Sequence, residues 1–90
     1  MYKIGTDVYC PDGKVGKLIK VVLDHHSHRM TDLVVEKGLL VKQDRVIPVE
    51  AVQWVNDNGI LLSITSQEMA NYPEYRETEF TISEPAVLQE

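Results

Sequence analysis

The sequence is poor in the residues that disulfides, cysteine metal sites and membrane spans require. Its 90 residues include one cysteine, Cys10, so neither an internal disulfide nor a CxxC pair is available. The apolar runs fall far short of the ~20 residues that a membrane helix needs, and no basic segment followed by an apolar one opens the chain. We therefore expect a soluble cytoplasmic protein in which Cys10 packs like a small apolar side chain.

Motifs for covalent catalysis and phosphate binding are also missing. No serine lies in a GxSxG turn or another nucleophile motif. Ser27 lies between histidines, but neighbouring residues on a strand face opposite sides, so they do not form a catalytic dyad. The segment from Gly13 to Lys17 lacks the spacing of a phosphate-binding loop. We expect a protein that is not an enzyme, with no catalytic residues and no cofactor.

Positive charge is scarce where a nucleic-acid binder would need it. Residues 1–64 carry eight basic and eight acidic side chains, so the whole net charge of -5 lies in residues 65–90. A neutral body with an acidic end lacks the basic surface that phosphate neutralisation requires, so nucleic acid is an unexpected partner. The distribution suits solubility or a partner that offers positive charge.

Short runs of valine, isoleucine and leucine separated by turn residues indicate an all-β domain with one core. They predict strands at 6–10, 15–24, 30–37, 45–49, 52–56 and 60–64. Asp12-Gly13 and Asn58-Gly59 predict antiparallel hairpins, because hairpin turns need the positive φ that glycine adopts freely. Period-two alternation then assigns five side chains to the core: Leu33, Val35, Ile60, Leu62 and Ile64.

Two local features modify this pattern of strands. The second strand carries apolar residues on both faces, which predicts a β-bulge near residues 16–18. After the last strand, Thr65 and Glu68 have the spacing of a capping box, so a short helix is expected to run to about Ala70. Met69 and Tyr72 are then expected to fold back over one end of the sheet.

The stretch LDHHSHRM, residues 23–30, contains all three histidines of the chain. On an extended strand His26 and His28 would share a face with Asp24, so the stretch offers at most two convergent imidazoles. Zinc usually takes three or four protein ligands. We interpret the stretch as a hairpin turn with exposed imidazoles. The alternative is a metal- or pH-responsive binding module that uses the His25–His28 loop, with His26, His28 and the preceding Asp24 as the binding residues.

More apolar and aromatic side chains are present than a domain this small can enclose. Exposed apolar clusters usually mark an interface, so a protein partner is expected, in the form of a homodimer. Tyr9, Trp54, Tyr72 and Tyr75 are interpreted as core or rim residues rather than as an exposed aromatic platform. The candidate interaction residues are Leu39, Leu40, Trp54, Tyr72, Tyr75, Phe80 and Ile82.

Several segments, in this order, resemble the PRC-barrel family, which is named for the cytoplasmic domain of the photosynthetic reaction-centre H subunit. They are IGTDVYCPDGKVGKLIKVVLD, MTDLVVEKG and RVIPVEAVQWVNDNGILLSITSQEM. The matching points are the glycine-turn-glycine element Gly13 to Gly16, Asp24 at the end of the second strand, and the run Leu33-Val34-Val35. Arg45-Val46-Ile47-Pro48 leading into Val52 and the segment EMANYPEY also match, so the resemblance covers about residues 3–76.

The resemblance implies a small, closed or partly open antiparallel β-barrel of about six strands with a short C-terminal helix. Residues 1–76 would form this domain, and residues 77–90 would form an acidic arm, flexible or packed on a partner subunit. Family members include a reaction-centre subunit, a ribosome maturation factor and stand-alone bacterial or archaeal proteins. This chain lacks the membrane helix of the first and the RNA-associated domain of the second. The resemblance therefore implies a stand-alone protein-protein interaction or adaptor module.

Overall fold

The computed structural model of the chain describes residues 2–38 and 40–75. These residues form six strands and one helix: β1 Asp7–Cys10, β2 Gly13–Leu23, β3 Met30–Lys37, β4 Gln43–Pro48, β5 Val52–Asn56, β6 Gly59–Leu62 and α1 Ser66–Met69. A 3-10 turn, Val49–Ala51, links β4 to β5. All six strands expected from the sequence are confirmed, and no boundary differs by more than two residues.

The six strands form one mixed sheet in the order β4-β3-β2-β1-β6-β5. Four neighbouring pairs are antiparallel, but β1 and β6 run parallel, with Val8 opposite Ile60. The expectation of an entirely antiparallel sheet is therefore wrong. The cause is the 3-10 turn, which leaves β5 running in the same direction as β4, so that β6 returns parallel to β1. Within the described ranges, the end strands β4 and β5 do not pair with each other.

Both expected hairpins are confirmed, and glycine is the residue that makes each of them possible. Gly13 begins β2 at φ +133 and Gly59 begins β6 at φ +151, a backbone region that costs other residues considerable strain. Asp12 and Asn58 have no positive φ, so in each hairpin the positive φ lies at the glycine that begins the second strand. These turns fix the registers of β1 with β2 and of β5 with β6.

One hydrophobic core lies on the inner face of the sheet. The predicted core residues Leu33, Val35, Ile60 and Leu62 are fully buried, and Ile64 packs against them. Every strand contributes, as do the 3-10 turn and α1: the cluster is completed by Val8, Cys10, Leu18, Ile47, Ala51 and Met69, with Val52 and Val55 of β5 partly buried against it. Each fully buried aliphatic side chain contributes about 1.5–3 kcal/mol of hydrophobic free energy. Because both end strands reach the same core, the sheet wraps around it.

The bulge expected in β2 is present, close to the predicted position. The register against β3 shifts between Leu18 and Lys20. A β-bulge turns the following side chains relative to the partner strand. Before the bulge Leu18 is buried in the core opposite Val35, and after it Lys20 is opposite Val34 and Val21 opposite Leu33. Val21 and Leu23, further along β2, are exposed.

The capping box at the start of α1 is confirmed in both directions. The Glu68 amide donates to Thr65 Oγ1 at 3.1 Å, and the Thr65 amide donates to Glu68 Oε1 at 2.8 Å. Met69 is fully buried and Tyr72 packs against the core, so this segment folds back over the sheet as expected. No helix in residues 2–38 and 40–75 has the length and apolar character needed to cross a membrane.

Beyond α1 the chain returns to the outer edge of β4. The Val46 amide donates to the Pro73 carbonyl and the Tyr75 amide donates to the Asp44 carbonyl, both at 2.8 Å. The Arg45 guanidinium also donates to the Tyr72 carbonyl, at 3.1 Å. We call Pro73–Tyr75 the C-terminal strap. It occupies the edge of β4 and so completes the part of the domain that the structure describes; the predicted arm, residues 77–90, lies outside the described residues.

Candidate functional site

The histidine stretch forms the turn between β2 and β3, as the sequence predicted. The Asp24 carboxylate accepts a hydrogen bond from the Ser27 amide at 2.8 Å, and the Asp24 carbonyl accepts one from the His28 amide at 2.9 Å. His28 adopts φ 63, the left-handed conformation that closes the turn. Hydrogen bonds from Ser27 to the carboxylate hold the pKa of the Asp24 carboxyl below its usual value. All three imidazoles are exposed.

The same turn does not gather the ligand set considered from the sequence. His26 lies edge-on against His25, with ring centroids 5.2 Å apart, and the residues are in a turn rather than on a strand. The alternation that would have placed His26 and His28 on one face with Asp24 therefore does not apply. In residues 2–38 and 40–75 no group of three or more histidine, cysteine, aspartate or glutamate side chains is arranged to hold a metal ion.

The predicted interaction residues fall into different environments. Leu40 is 95% exposed in the loop between β3 and β4, and Trp54 is 42% exposed on β5. Tyr72 packs against the core, and the Tyr75 ring lies under the Lys20 ammonium, whose Nζ is 5.4 Å from the ring centroid. The remaining candidates, Leu39, Phe80 and Ile82, lie outside the described residues.

The structure brings together a row of apolar side chains on the outer face of three adjacent strands. Leu61 of β6 is opposite Tyr9 of β1 on one side and opposite Trp54 of β5 on the other. Directly opposed residues on one face of a sheet have Cβ atoms about 4.5–5.5 Å apart and interact. We call Tyr9, Leu61 and Trp54 the outer row. It faces away from the core that the neighbouring residues Val8, Ile60 and Leu62 fill.

A groove of about 460 Å³ opens along the outer row. Its lining is mostly apolar and comes from β1, β5, β6 and two hairpin turns: Tyr9, Cys10, Pro11, Gly13, Trp54, Asn58 and Leu61. Pockets of this size with aromatic walls and few polar groups are typical ligand or peptide sites. We call it the outer groove.

Gly59 allows the walls of the outer groove to come together. A Cβ atom at this position would lie 2.9 Å from Tyr9 Cε1 and 3.0 Å from the Asp7 carbonyl oxygen. Only glycine therefore lets β6 approach β1 this closely while the Tyr9 ring lies over the backbone. The same residue that closes the β5–β6 hairpin thus also positions Tyr9.

The charged residues of the hairpin turns beside the outer groove do not line it. Each of the two hairpin turns that line it carries an exposed carboxylate, Asp12 in the first and Asp57 in the second. Hydrogen bonds from Ser66 hold the pKa of the Asp12 carboxyl below its usual value, so Asp12 stays ionised. Lys14 forms an ion pair with Asp7 at 3.1 Å, and the charge of Lys37 also contributes to the lowered pKa of the Asp12 carboxyl.

Cys10 lies beneath the outer groove and behaves as the sequence predicted. Its side chain is 2% exposed and belongs to the core cluster. Burial raises the pKa of its thiol, which disfavours the reactive thiolate. Cys10 is therefore part of the packing that supports the groove.

Sequence reasoning selected Trp54 but missed Leu61 and Pro11, and it favoured a core or rim position for Tyr9. The signal available was that Leu61 interrupts the alternation of Ile60, Leu62 and Ile64, because an apolar residue occupies the outward-facing position. The parallel pairing of β1 with β6, which aligns Tyr9 with Leu61, has no local signature in the sequence.

Comparison with the models of known protein families and with curated proteins finds no match for this chain.

Proposed function

We propose that this chain is a non-enzymatic, cytoplasmic protein-binding module built on a small, partly open β-barrel of the PRC type. A six-stranded sheet wrapped around one core and followed by a short helix agrees with the architecture that the resemblance implies. The segments that carry the resemblance correspond to β1, β2, β3, β4, β5 and β6 in order. The parallel β1–β6 pair is the point at which the sheet departs from a simple antiparallel barrel.

The outer row is the observation that supports protein binding most strongly. An aromatic, a leucine and a second aromatic side chain lie side by side on three strands and leave Trp54 42% exposed. Tryptophan and tyrosine contribute more binding energy at protein interfaces than most residues, because they bury large apolar areas and lose few rotamers. Exposed apolar clusters of this kind mark interaction sites more often than they serve the fold.

A comparison of two exposed apolar positions tests this function. The full chain, the Trp54→Ala variant and the Leu23→Ala variant would be immobilised, and proteins retained from native lysate would be quantified by mass spectrometry. We expect a specific partner that binds the full chain and Leu23→Ala but is lost with Trp54→Ala. Leu23 is a matched control because it is also exposed and apolar but lies on β2, outside the outer groove. Retention of no protein above the empty support would overturn the proposal.

The assembly that we propose is a homodimer. Leu40 and Val41, at 95% and 78% exposure in the loop between β3 and β4, offer apolar surface apart from the outer groove. Light scattering of the full chain would then give twice the monomer mass of 10.2 kDa, and a Leu40→Ser/Val41→Ser variant would give the monomer. A monomeric full chain at all concentrations would remove the dimer and leave the binding module in place.

A further inference from the structure

We infer that the arm, residues 77–90, docks onto a second copy of this chain, where Phe80 and Ile82 cover Leu40 and Val41 in the loop between β3 and β4. The inference rests on the homodimer of the proposed function and names the two surfaces that meet in it. It depends on three observations: the exposed apolar loop, the direction in which the C-terminal strap leads the chain, and the position of both beside the start of β4.

The loop between β3 and β4, residues 38–42, presents apolar side chains where turns usually have polar ones. Leu40 and Val41 are 95% and 78% exposed, the highest values among the large apolar side chains of residues 2–38 and 40–75. A Cβ atom at Gly38 would clash with the Val41 carbonyl oxygen, so the backbone of the loop is folded closely on itself. The loop is therefore a preformed turn that directs two neighbouring apolar side chains to solvent.

The C-terminal strap leads the chain towards this loop. Glu74 pairs with Arg45 in an antiparallel bridge, and the Tyr75 amide donates to the Asp44 carbonyl. In an antiparallel pair, each later residue of one strand lies opposite an earlier residue of the other. Continuation of this register would place residue 76 opposite Gln43, where β4 begins, and would direct the arm along the loop.

The arm has its first apolar side chains where this path passes the loop. Phe80 and Ile82 are its first two apolar residues, and on an extended chain they share one face. At ~3.3 Å per residue, Phe80 would lie roughly 13 Å beyond residue 76. A five-residue loop turns back after half its length, so it extends at most roughly 8 Å past the start of β4. A straight arm therefore carries Phe80 and Ile82 past the tip of its own loop.

A two-fold dimer brings each arm to the loop of the other chain. The loop and the start of the arm lie at the same end of β4, so one axis beside the loop lets both contacts form by symmetry. Two apolar side chains of the loop and two of the arm form each contact. Such a contact is small beside the about 800 Å² per partner of a standard interface, so we expect a dimer that dissociates on dilution.

Charge has little influence on this contact. Asp44, at the base of the loop, has both carboxylates and lysines within electrostatic reach: Glu36, Glu74, Lys20 and Lys42. Lys42 is already ion-paired with Glu36 at 3.6 Å. Because the two signs balance, the acidic arm gains no net attraction here. We therefore expect the dimer to persist at high salt, where interactions between exposed charges are screened.

Light scattering of full-length chains over a dilution series tests the contact. The full chain should approach twice the monomer mass of 10.2 kDa at high concentration. The arm variant, Phe80→Ser/Ile82→Ser, and the loop variant, Leu40→Ser/Val41→Ser, should each remain monomeric. The loop variant should keep the fold of the full chain, as judged by circular dichroism, because both replaced side chains are exposed.

Two control variants remove apolar surface outside the contact. Leu23→Ser replaces an exposed apolar side chain on β2, and Val87→Ser/Leu88→Ser replaces two apolar side chains elsewhere in the arm. Both controls should form the dimer as the full chain does. Monomeric controls would show that the association depends on general apolar area and would overturn the inference.

A mixture of the arm variant and the loop variant tests whether the arm meets the loop. The loop variant keeps an intact arm and the arm variant keeps an intact loop, so mixing restores one of the two contacts. We expect the mixture to contain a heterodimer, although neither variant associates alone. A dimer of loop against loop would be lost only in the loop variant, and a dimer of arm against arm only in the arm variant.

A photoreactive side chain identifies the copy that each arm contacts. With p-benzoylphenylalanine in place of Phe80, isotope-labelled and unlabelled chains would be mixed and irradiated. Mass spectrometry should find cross-links from position 80 to residues 38–42 that join a labelled chain to an unlabelled one. Cross-links confined to single chains would overturn the inference and indicate that the arm folds onto its own loop.

The failure of this inference differs from the failure of the proposed function. A dimer that survives Phe80→Ser/Ile82→Ser would overturn the docking of the arm and leave the homodimer on another surface. A full chain that is monomeric at every concentration would overturn both the arm contact and the homodimer. Neither result affects the binding of other proteins through Trp54, which the capture experiment tests separately.

Discussion

At the scale of single residues, Asp24 sets the shape of the histidine turn. Its carboxylate and carbonyl accept the Ser27 and His28 amides, so the turn is closed by hydrogen bonds of the protein itself. An aspartate that binds backbone amides two to three residues ahead is the usual way to build such a turn. The histidines therefore occupy a preformed and exposed loop, which can present their imidazoles to solvent independently of a metal.

We expect zinc to bind this turn only weakly. Two imidazoles provide fewer ligands than a zinc site normally uses, and the Asp24 carboxylate already accepts a hydrogen bond from the Ser27 amide. Isothermal titration of zinc into the full chain should show no tight saturable binding, and the His26→Ala/His28→Ala variant should differ little from it. A His25→Ala variant serves as the control for general loss of an imidazole. Tight one-to-one binding that disappears only in the double variant would establish the metal- or pH-responsive alternative.

Asp44 and Asp12 should have opposite effects on stability as the pH changes. Burial, followed by the nearby Glu36 and Glu74, raises the pKa of the Asp44 carboxyl, whereas hydrogen bonds from Ser66 lower the pKa of the Asp12 carboxyl. A group with a raised folded-state pKa favours the protonated folded form, so its contribution to stability increases as the pH falls through that pKa. For Asp12, the stabilising contribution is present above the unfolded-state pKa and is lost on acidification.

Asparagine substitutions separate these two contributions. At neutral pH, Asp44→Asn should increase the free energy of unfolding by less than about 1 kcal/mol, because the site is partly exposed. Asp12→Asn should decrease the free energy of unfolding at neutral pH, and this difference should shrink towards acid pH. Urea unfolding between pH 4 and pH 7 measures both effects. A less stable Asp44→Asn variant at neutral pH would show that its carboxylate stabilises the fold instead.

At the scale of elements, α1 is too short to be stable by itself and depends on its contacts. Helices below about 12 residues are marginal in water, and α1 has four residues. Its first turn is held by the capping box and by Asp12, which accepts hydrogen bonds from the Ser66 amide and hydroxyl at 3.1 and 2.5 Å. Met69 then anchors its end in the core.

These contacts predict that substitutions at three positions of this segment lower the free energy of unfolding by different amounts. Met69→Ala should lower the free energy of unfolding by about 2–5 kcal/mol, because it leaves a cavity in the core. Thr65→Ala should cost about 0.5–2 kcal/mol, because it removes the acceptor for the Glu68 amide. Gln67→Ala, at an exposed position of the same helix, is the control and should change little. Chemical denaturation measures all three, and equal losses at the three positions would contradict the assignment of Met69 as the anchor.

The elements also show which parts of the fold could be predicted from the sequence. The hairpins and the capping box were predictable, because Gly13, Gly59 and the Thr65/Glu68 pair act on residues within a few positions. The bulge near Leu18 was predictable from apolar residues on both faces of one strand. The parallel pairing of β1 with β6 was not, because it depends on the direction that the chain keeps through the 3-10 turn, some 40 residues after β1. The outer groove depends on that pairing, which explains why only Trp54 of the outer row was selected.

At the scale of the whole molecule, the two edges of the sheet differ, because the C-terminal strap covers the edge of β4 and no described segment covers the outer edge of β5. The strap pairs with β4 and brings Tyr75 under Lys20, on the side of the sheet that also buries Val34 and Val46. Val34 and Val46 are directly opposed on neighbouring strands and alternate with the core residues, so they lie on the outer face. On the outer face, the apolar residues Val34 and Val46 near β4 are therefore buried, whereas Trp54 of the outer row on β5 stays exposed.

The strap should therefore determine the stability of the domain more than its small size suggests. A chain that ends at Tyr75 retains every described element and should unfold with nearly the free energy of the full chain. A chain that ends at Tyr72 loses the two backbone hydrogen bonds to β4, each of which contributes about 0.5–1.5 kcal/mol, so it should be less stable by roughly 1–3 kcal/mol. It would also expose the edge of β4, and exposed edges promote association between chains. Urea unfolding and light scattering of the two truncated chains against the full chain measure both consequences. If the chains ending at Tyr72 and Tyr75 were equally stable, the strap would be a passive contact, and protection of the β4 edge would have to come from another part of the molecule.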